Sequence, residues 1–460
     1  MRKKALLALM MAAILLLSGC NLIKKDQAVD DATEILKLGD RVITKAEAKK
    51  TIQYFSDMEA YYQMMYYGSQ VDTENATFKA AVQEEAIESL KQDLALTAKA
   101  TELGLDQLTD EEKESVMADA QQSYDGAIDY AKSSMVGDTE GMDDEALLKA
   151  ATDKLLEEGT TLESYVEART KEVIDNKLRE YVIKDVAVTD EEVQAEYDSK
   201  VASDKETYTE KAGSWATAAN NGYSTLYYTP AGVRRVKQIL VKFKEEDQTA
   251  INDAKTAQTE ANTALSTAQA KVDSLQSTLD TEGISDETKA KTEESLAAAK
   301  QELDEADQAL QATAKAVEDA TNKAFANIDE DTDAILAQLA EGADWQALMD
   351  EKNEDPGMKN NEKGYAVAAD MTSFDSAFVE AAMALAKPGD YSSKVRGESY
   401  GYYIIRYEGD EAEGPVALDD VKETISSSLL SSKQTSTYND TVAKWVEEAG
   451  IKVNLNALKD

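Results

Sequence analysis

The sequence has no histidine, one cysteine and four prolines among its 460 residues. Without an imidazole, the chain has no Ser-His-Asp or Cys-His machinery, no HExxH zinc site and no histidine general base. The single cysteine, Cys20, excludes an internal disulfide bond. Because the first proline is Pro230, no proline interrupts helices in the first half of the chain. Any chemistry must come from other side chains, and long helices are permitted.

Negative charge dominates the composition, with 90 Asp and Glu against 49 Lys and Arg and a formal net charge of −41. Phosphate contacts need clusters of Lys and Arg, so we expect no nucleic-acid partner. The excess charge favours solubility and repulsion between copies of the chain.

The N-terminus has the pattern of a secretory signal. Basic residues 2–4 precede an apolar run over 5–17, which is shorter than the ~20 residues needed to span a bilayer. The Leu-Ser-Gly-Cys that follows resembles the bacterial lipobox, which implies that Cys20 is lipidated and becomes the mature N-terminus. We expect a flexible tether over 21–34 and an extracytoplasmic location, lipid-anchored to the outer face of the bacterial cell membrane. An ordinary signal peptide or a membrane anchor is the alternative.

Three helix-start signals favour a helical domain over residues 35–200. In each, a Thr is followed three residues later by a Glu whose side chain can bond back to the backbone. The pairs are Thr44/Glu47, Thr109/Glu112 and Thr189/Glu192. A β-hairpin is predicted just before them, at 35–43, and a terminal strand at 451–455 is its expected partner.

The first predicted helix is rich in methionine and tyrosine. These residues are Met58, Tyr61, Tyr62, Met64, Met65, Tyr66 and Tyr67. We interpret them as core packing, because most large apolar side chains on a helix have a core to fill. The alternative is a surface for varied partners, since Met is flexible and Tyr combines apolar area with a hydroxyl.

Two segments with apolar residues at alternating spacings of three and four predict an antiparallel coiled-coil hairpin. The first runs over 251–279, the second over 296–324, and a short Gly-containing turn separates them. Such a hairpin either is an inert spacer or reaches for clients or a partner protein. Asp329, Asp331 and Asp333 after it imitate the start of an EF-hand loop, but Ala334 stands where that loop needs glycine. We therefore predict no metal site there, and a separate helix starting at Ala334.

The stretch 355–407 has a recognisable order: a Pro-Gly turn, a short extended run, a helix rich in Ala and Met, Lys-Pro-Gly-Asp, and the strand GYYIIRY. This order resembles the later part of a parvulin-type peptidyl-prolyl isomerase domain. The segment VRRVKQILVKF at 233–243 resembles the opening strand of that domain. The whole arrangement is similar to the PrsA/SurA-type foldases.

This resemblance implies an α+β fold. A mostly helical chaperone domain is closed by the N- and C-terminal segments and carries an inserted parvulin-like α+β domain, which itself carries the coiled-coil hairpin. The predicted boundaries are a signal peptide at 1–20, the tether at 21–34, the chaperone domain at 35–200, a linker at 201–231, the parvulin-like domain at 232–247 and 327–410, the hairpin at 248–326, and a returning helix and strand at 411–460.

The resemblance also implies a proline pocket that needs no cofactor. By position, Asp355 matches a family carboxylate or cysteine, while Gln238 and Tyr403 replace both signature histidines; these three would be catalytic. Substrate contacts would come from Met371, Phe374, Phe378 and Tyr400. Implied partners are unfolded or partly folded secreted polypeptides with their X-Pro segments. A holdase without catalysis, and a surface scaffold or adhesion lipoprotein that uses the hairpin, are the alternative functions.

Overall fold

The computed structural model describes residues 26–134, 136 and 141–459. Its described part divides into two compact units, one within Met1–Val188 and Ser427–Asp460, the other Thr189–Ser426. Helices dominate, and the sheets are small and antiparallel, which confirms the mostly helical α+β class. The predicted signal peptide and Cys20 lie outside the described residues. None of the helices in the described ranges combines the length and apolar character that crossing a membrane requires.

The first unit begins with small elements where a flexible tether was predicted. A short helix, α1 (Gln27–Asp31), is capped by the side chain of Asp26. Lys45 contacts Asp30 at 2.9 Å between Nζ and Oδ2, which fixes α1 near the start of the next helix. The hairpin strands β1 (Glu34–Leu38) and β2 (Arg41–Thr44) follow, with Gly39 turning at a φ of 59°.

Five helices follow in this unit: α2 (Lys45–Tyr67), α3 (Ala76–Leu103), α4 (Asp110–Ser134), α5 (Asp144–Glu157) and α6 (Leu162–Ile183). The predicted capping boxes at Thr44 and Thr109 are confirmed, because in each the Thr hydroxyl accepts from the Glu backbone and the Glu carboxylate accepts from the Thr backbone. The sheet end of α2 packs against β1, β2 and α3.

The core packing predicted for the Met and Tyr residues of α2 is wrong. The partly covered stripe of this helix runs through Ile52, Phe55 and Ala60. The Met and Tyr side chains, in the last turns of the helix, are exposed instead, with exposed fractions from 45% for Tyr62 to 73% for Tyr66. We call the seven residues from Met58 to Tyr67 listed above the Met/Tyr face.

The second unit begins with α7 (Asp190–Tyr208) and α8 (Ala212–Asn221), so most of the stretch 201–231 is helical where a linker was predicted. Trp215 explains the difference. Its ring is buried against the sheet of this unit, and its Nε1 donates to the carbonyl of Tyr228 at 2.7 Å. An aromatic anchor of this size orders a chain that is otherwise rich in Asn, Ser and Gly.

A four-stranded sheet is the centre of the second unit. The elements that follow α8 are β3 (Tyr228–Thr229), β4 (Arg234–Lys242), α9 (Glu245–Leu279), α10 (Asp286–Ala340), α11 (Trp345–Lys352), a 3-10 turn (Pro356–Asn360), β5 (Tyr365–Val367), α12 (Ser376–Ala384), β6 (Val395–Arg396), β7 (Gly401–Asp410) and β8 (Gly414–Pro415). The strand order in the central sheet is β5-β4-β7-β6. The strands β4 and β7 pair along their length, with Gln238 opposite Ile405 and Leu240 opposite Tyr403.

Side chains alternate between the two faces of this sheet, as the strand period requires. Ile239 and Ile404 belong to a core shared with Phe243, Ile251 and Phe325 at the base of α9 and α10. On the other face, Leu240 and Tyr403 belong to a core with Trp215 and Phe378.

Helices α9 and α10 form the predicted antiparallel hairpin, in which Lys271 binds Glu302 at 2.6 Å between Nζ and Oε2. The prediction of a separate helix at Ala334 is wrong, because α10 continues unbroken to Ala340. Asp329 and Asp333 lie one turn apart on it, and both bind Nζ of Lys394, at 2.6 and 2.7 Å. The charge of these acids is thus offset by a lysine from the edge of the sheet.

Helix α13 (Leu418–Glu448) starts in the second unit and ends in the first. The strand β9 (Lys452–Val453) then pairs antiparallel with β1, placing Val453 opposite Leu36. This confirms the predicted pairing of the terminal strand with the first hairpin.

Candidate functional site

A cavity of about 630 Å³ opens on the Tyr403 face of the sheet. It lies where β4 and β7 meet the 3-10 turn, the start of α12 and the loop between β6 and β7. Its lining residues are Gln238, Leu240, Lys242, Asp355, Pro356, Tyr365, Ser373, Phe374, Asp375, Phe378, Glu398, Ser399, Tyr400 and Tyr403. A volume of this order suits a small organic group or a few peptide residues.

Asp355 is held at the cavity floor by three hydrogen bonds. Its Oδ2 accepts from Nε2 of Gln238 at 2.7 Å and from the hydroxyl of Tyr365 at 2.9 Å. Its Oδ1 accepts from the backbone N–H of Gly357 at 2.9 Å, which caps the 3-10 turn. The carboxylate is therefore fixed by two strands and its own turn at once.

The side-chain carbonyl oxygen of Gln238 is an unused hydrogen-bond acceptor among the described residues. The side chain of Gln238 is 6% exposed, and within the described part of the chain its Oε1 has no hydrogen-bond partner. The amide cannot be turned over, because a carboxylate only accepts and so requires Nε2 on the Asp355 side. A buried carbonyl without a donor costs free energy.

Four aromatic rings form one wall of the cavity. Each meets the next edge to face: Tyr365 and Phe374 at 5.2 Å between ring centroids, Phe374 and Phe378 at 5.7 Å, and Phe378 and Tyr403 at 5.2 Å. Burial raises the pKa of Tyr403 to about 12, with the negative charge of Asp375 adding to the shift. Burial and the bond to Asp355 also raise the pKa of Tyr365. Both hydroxyls are therefore neutral donors at physiological pH.

The rim of the cavity is polar and held in place. Asp375 caps α12 and also accepts from the backbone N–H of Glu398. Gly397, beside it, packs against Tyr403 so closely that an added Cβ would lie 2.4 Å from the ring. Lys242 supplies a positive charge to a rim that otherwise carries Asp375 and Glu398.

Sequence comparison gives two curated proteins, both named foldase protein PrsA, from two strains of Clostridium perfringens. Each is 28% identical to the chain over 199 residues, which is 42% of this chain and 51% of the relative. The chain is similar to PrsA-type foldases. This confirms the resemblance inferred from the sequence. The chain spans about half the length of the curated relatives it matches. No protein-family model matches it.

Two solved structures are also similar at low identity. One is of SurA-like chaperones from Campylobacter jejuni, at 16% identity, covering 76% of this chain and 96% of that one, with a TM-score of 0.26. The other is of the peptidylprolyl isomerase PrsA from Bacillus cereus, at 15% identity, covering 94% and 97%, with a TM-score of 0.18.

Most of the residues chosen by the PrsA-type resemblance meet at the cavity. Gln238, Asp355, Phe374, Phe378, Tyr400 and Tyr403 all line it. Met371 does not, because it follows a tight turn and its side chain is buried in the core with Trp215. Of the predicted residues, Tyr400 is the most exposed, with an exposed fraction of 58%. Cys20 lies outside the described residues.

Tyr365 is the site residue that sequence reasoning missed. From the sequence alone, the Gly-Tyr pair at 364–365 indicates only the start of the short extended run within 355–407. Its position follows from the register of β5, which places Tyr365 opposite Val236 and two residues from Gln238 along β4. Gly364 permits this approach, because an added Cβ would lie 2.4 Å from the carbonyl oxygen of Val236. Gly364 is a sequence signal for a close approach of two strands. Only the pairing of β5 with β4 shows that this approach brings Tyr365 to the site.

Proposed function

We propose that the chain is an extracytoplasmic foldase whose cavity binds X-Pro segments of secreted polypeptides and speeds their cis–trans isomerisation. The observation that carries the proposal is the cavity itself, an aromatic wall beside a fixed Asp355–Gln238–Tyr365 network. The similarity to PrsA foldases supports the choice of reaction.

The reaction breaks no covalent bond. Rotation about an X-Pro bond has a barrier of ~18–20 kcal/mol, which comes from amide resonance. The wall of Phe374, Phe378 and Tyr403 removes water from around the proline ring, and a drier amide resists rotation less. The neutral hydroxyl of Tyr403 is a donor available to the rotating carbonyl. The Asp355 network holds Gln238 and Tyr365 in place at the floor of the cavity.

Refolding of a client limited by proline isomerisation tests this proposal. We expect the mature protein to accelerate the slow phase, which takes tens of seconds unaided. The variant Asp355→Ala should lose most of that acceleration because it releases Gln238 and Tyr365. Asp331→Ala is the matched control, since Asp331 is an exposed acid on α10 outside the cavity. A slow phase equal to the blank with the wild-type protein would rule out catalysis.

A holdase activity is a second candidate, and the Met/Tyr face of α2 favours it. Seven large exposed side chains on two turns and a half of one helix form a surface that can adapt to varied apolar segments. Replacing Met64, Met65 and Tyr66 by Ser should weaken suppression of client aggregation while leaving proline-limited refolding unchanged. Equal aggregation suppression by the variant would remove this candidate.

Lipid anchoring at Cys20 completes the proposal for location. The pattern of basic residues, apolar run and Leu-Ser-Gly-Cys supports it. Cys20→Ala should move the protein from the membrane fraction to the soluble extracytoplasmic fraction. Unchanged membrane association of that variant would exclude the lipid anchor.

A further inference from the structure

A second hollow adjoins the cavity and is walled by the inserted hairpin. Its volume is about 560 Å³, and it shares Lys242, Ser399 and Tyr400 with the first cavity. The two spaces therefore meet around the exposed ring of Tyr400. The far wall of the second hollow is the beginning of α9.

The α9 wall is a row of polar side chains on one face of the helix. The wall consists of Glu245, Gln248, Thr249, Asn252 and Lys255, which lie on one side of the helix because each is three or four residues from another. They span ten helical steps, or about 15 Å, which matches four or five residues of extended chain at ~3.3 Å each. Gln248 Nε2 donates to Oδ1 of Asn252 at 3.2 Å, which leaves Oε1 of Gln248 and Nδ2 of Asn252 to bond to backbone N–H and C=O groups of any sequence. This wall is therefore suited to an extended polypeptide rather than to one particular side chain.

The wall is fixed relative to the sheet that carries the cavity. Phe243 and Ile251 flank it and are buried in the core with Phe325 of α10. Asp247, 2% exposed, accepts from Nδ2 of Asn327 at 2.7 Å, which ties the first turn of α9 to α10. Because the first turns of α9 pack against the sheet and α10, the second hollow is preformed beside the first.

We propose that the base of the inserted hairpin is part of the client-binding groove: residues on one side of the bound proline lie in the second hollow, against Gln248 and Asn252 of α9. This proposal rests on the proposed function, since it takes the proline to occupy the first cavity. In this proposal the base of the hairpin takes part in substrate recognition, independently of any role of its tip.

Peptide binding to the full mature chain tests the proposal. The probes are a tetrapeptide with a central Ala-Pro, and the same peptide lengthened by four residues on its N-terminal or its C-terminal side. We expect one of the two extensions to bind about fivefold to tenfold more tightly than the tetrapeptide, as one or two added hydrogen bonds would give. The other extension should add little.

The double variant Gln248→Ala with Asn252→Ala should abolish the gain from the extension and leave the tetrapeptide affinity unchanged. The matched control is Asn262→Ala with Gln269→Ala, the same residue types farther along α9 and outside this hollow.

Equal affinity of short and long peptides, or a gain that survives in the Gln248 and Asn252 variant, would overturn the groove while leaving the proposed function standing. A long peptide that binds equally well with Pro replaced by Ala would instead overturn the proline site. No binding by any peptide would overturn both.

Discussion

At the residue scale, Asp355 shows how a carboxylate can organise a site without a histidine. It accepts from Gln238, Tyr365 and Gly357, so a strand amide, a phenol and a backbone N–H converge on it. None of these partners titrates near neutral pH. The site is thus a network of hydrogen bonds that positions side chains, and single substitutions can remove its hydrogen-bonding groups one by one.

Tyr365→Phe removes a single hydroxyl from this network. The ring contact with Phe374 stays, but Asp355 loses one of its donors. We expect isomerase activity to fall about tenfold, equivalent to one lost hydrogen bond in the transition state, with a stability loss of about 1–2 kcal/mol. Steady-state peptide isomerisation and urea unfolding measure the two effects. An unchanged rate would show that the Asp355 network does not serve catalysis.

The pH dependence of stability follows from the raised pKa of Tyr403. In the unfolded chain tyrosine ionises near pH ~10, whereas burial raises the pKa of Tyr403 to about 12 in the fold. The contribution of Tyr403 to stability is therefore constant below about pH 10 and falls between about pH 10 and 12, where only the unfolded state has lost this proton. Urea unfolding from pH 8 upward should show this fall, and Tyr403→Phe should reduce it. A fall of equal steepness in the variant would assign the effect to other tyrosines.

At the scale of helices and strands, the sequence predicts where a helix begins better than how far it continues. The Thr-x-x-Glu boxes mark the starts of α2, α4 and α7, because a capping box is a contact within four residues. The acids before Ala334 suggested a helix start in the same way, yet α10 runs through them. Their compensation comes from Lys394, about sixty residues away along the chain, which no local pattern contains.

Two glycines within helices show the difference between intrinsic helix propensity and the packing of a helix against its neighbours. Gly126 in α4 has open space where a Cβ would be, so Gly126→Ala should stabilise the chain by about 0.5–1 kcal/mol. Gly213 in α8 lies against backbone atoms at 370–371, where an added Cβ would be 2.5 Å from the nitrogen of Met371. Gly213→Ala should therefore destabilise the second unit, because backbone cannot yield as a side chain does. Thermal unfolding compares the two, and a stabilising Gly213→Ala would contradict the packing of α8 on the sheet.

At the scale of the whole molecule, the resemblance to PrsA-type foldases predicted which distant residues meet. Gln238 and Asp355, more than a hundred residues apart, are joined by a hydrogen bond on the two sides of the insertion. The limits of the insertion were harder to predict. Ile251 and Ala324 belong to the predicted heptad arms, but they are core residues packed against the sheet. The heptad spacing is the same where the arms pack on each other and where they pack on the sheet. The pattern alone therefore does not show where the hairpin leaves the core.

Trimming the hairpin tests this division. Deleting residues 262–310 and closing the arms with a short glycine turn keeps Ile251, Ala324 and Phe325 in place. We expect the remaining second unit to keep its fold, and the tetrapeptide affinity to change by less than about twofold, because the cavity core is untouched. Deleting 248–326 instead should unfold the unit, because it removes buried side chains worth about 2–5 kcal/mol each. Chemical shifts of the sheet residues report on both deletions, and a well-folded unit after the longer deletion would contradict the assigned core.

The most direct measurement of the central claim is exchange spectroscopy by NMR on an Ala-Pro peptide with catalytic amounts of the mature protein. We expect cis–trans exchange peaks with the wild-type protein and with Asp331→Ala, and their loss or strong weakening with Asp355→Ala and with Phe378→Ala. Exchange peaks that are absent with the wild-type protein, or equally strong in all four, would contradict it.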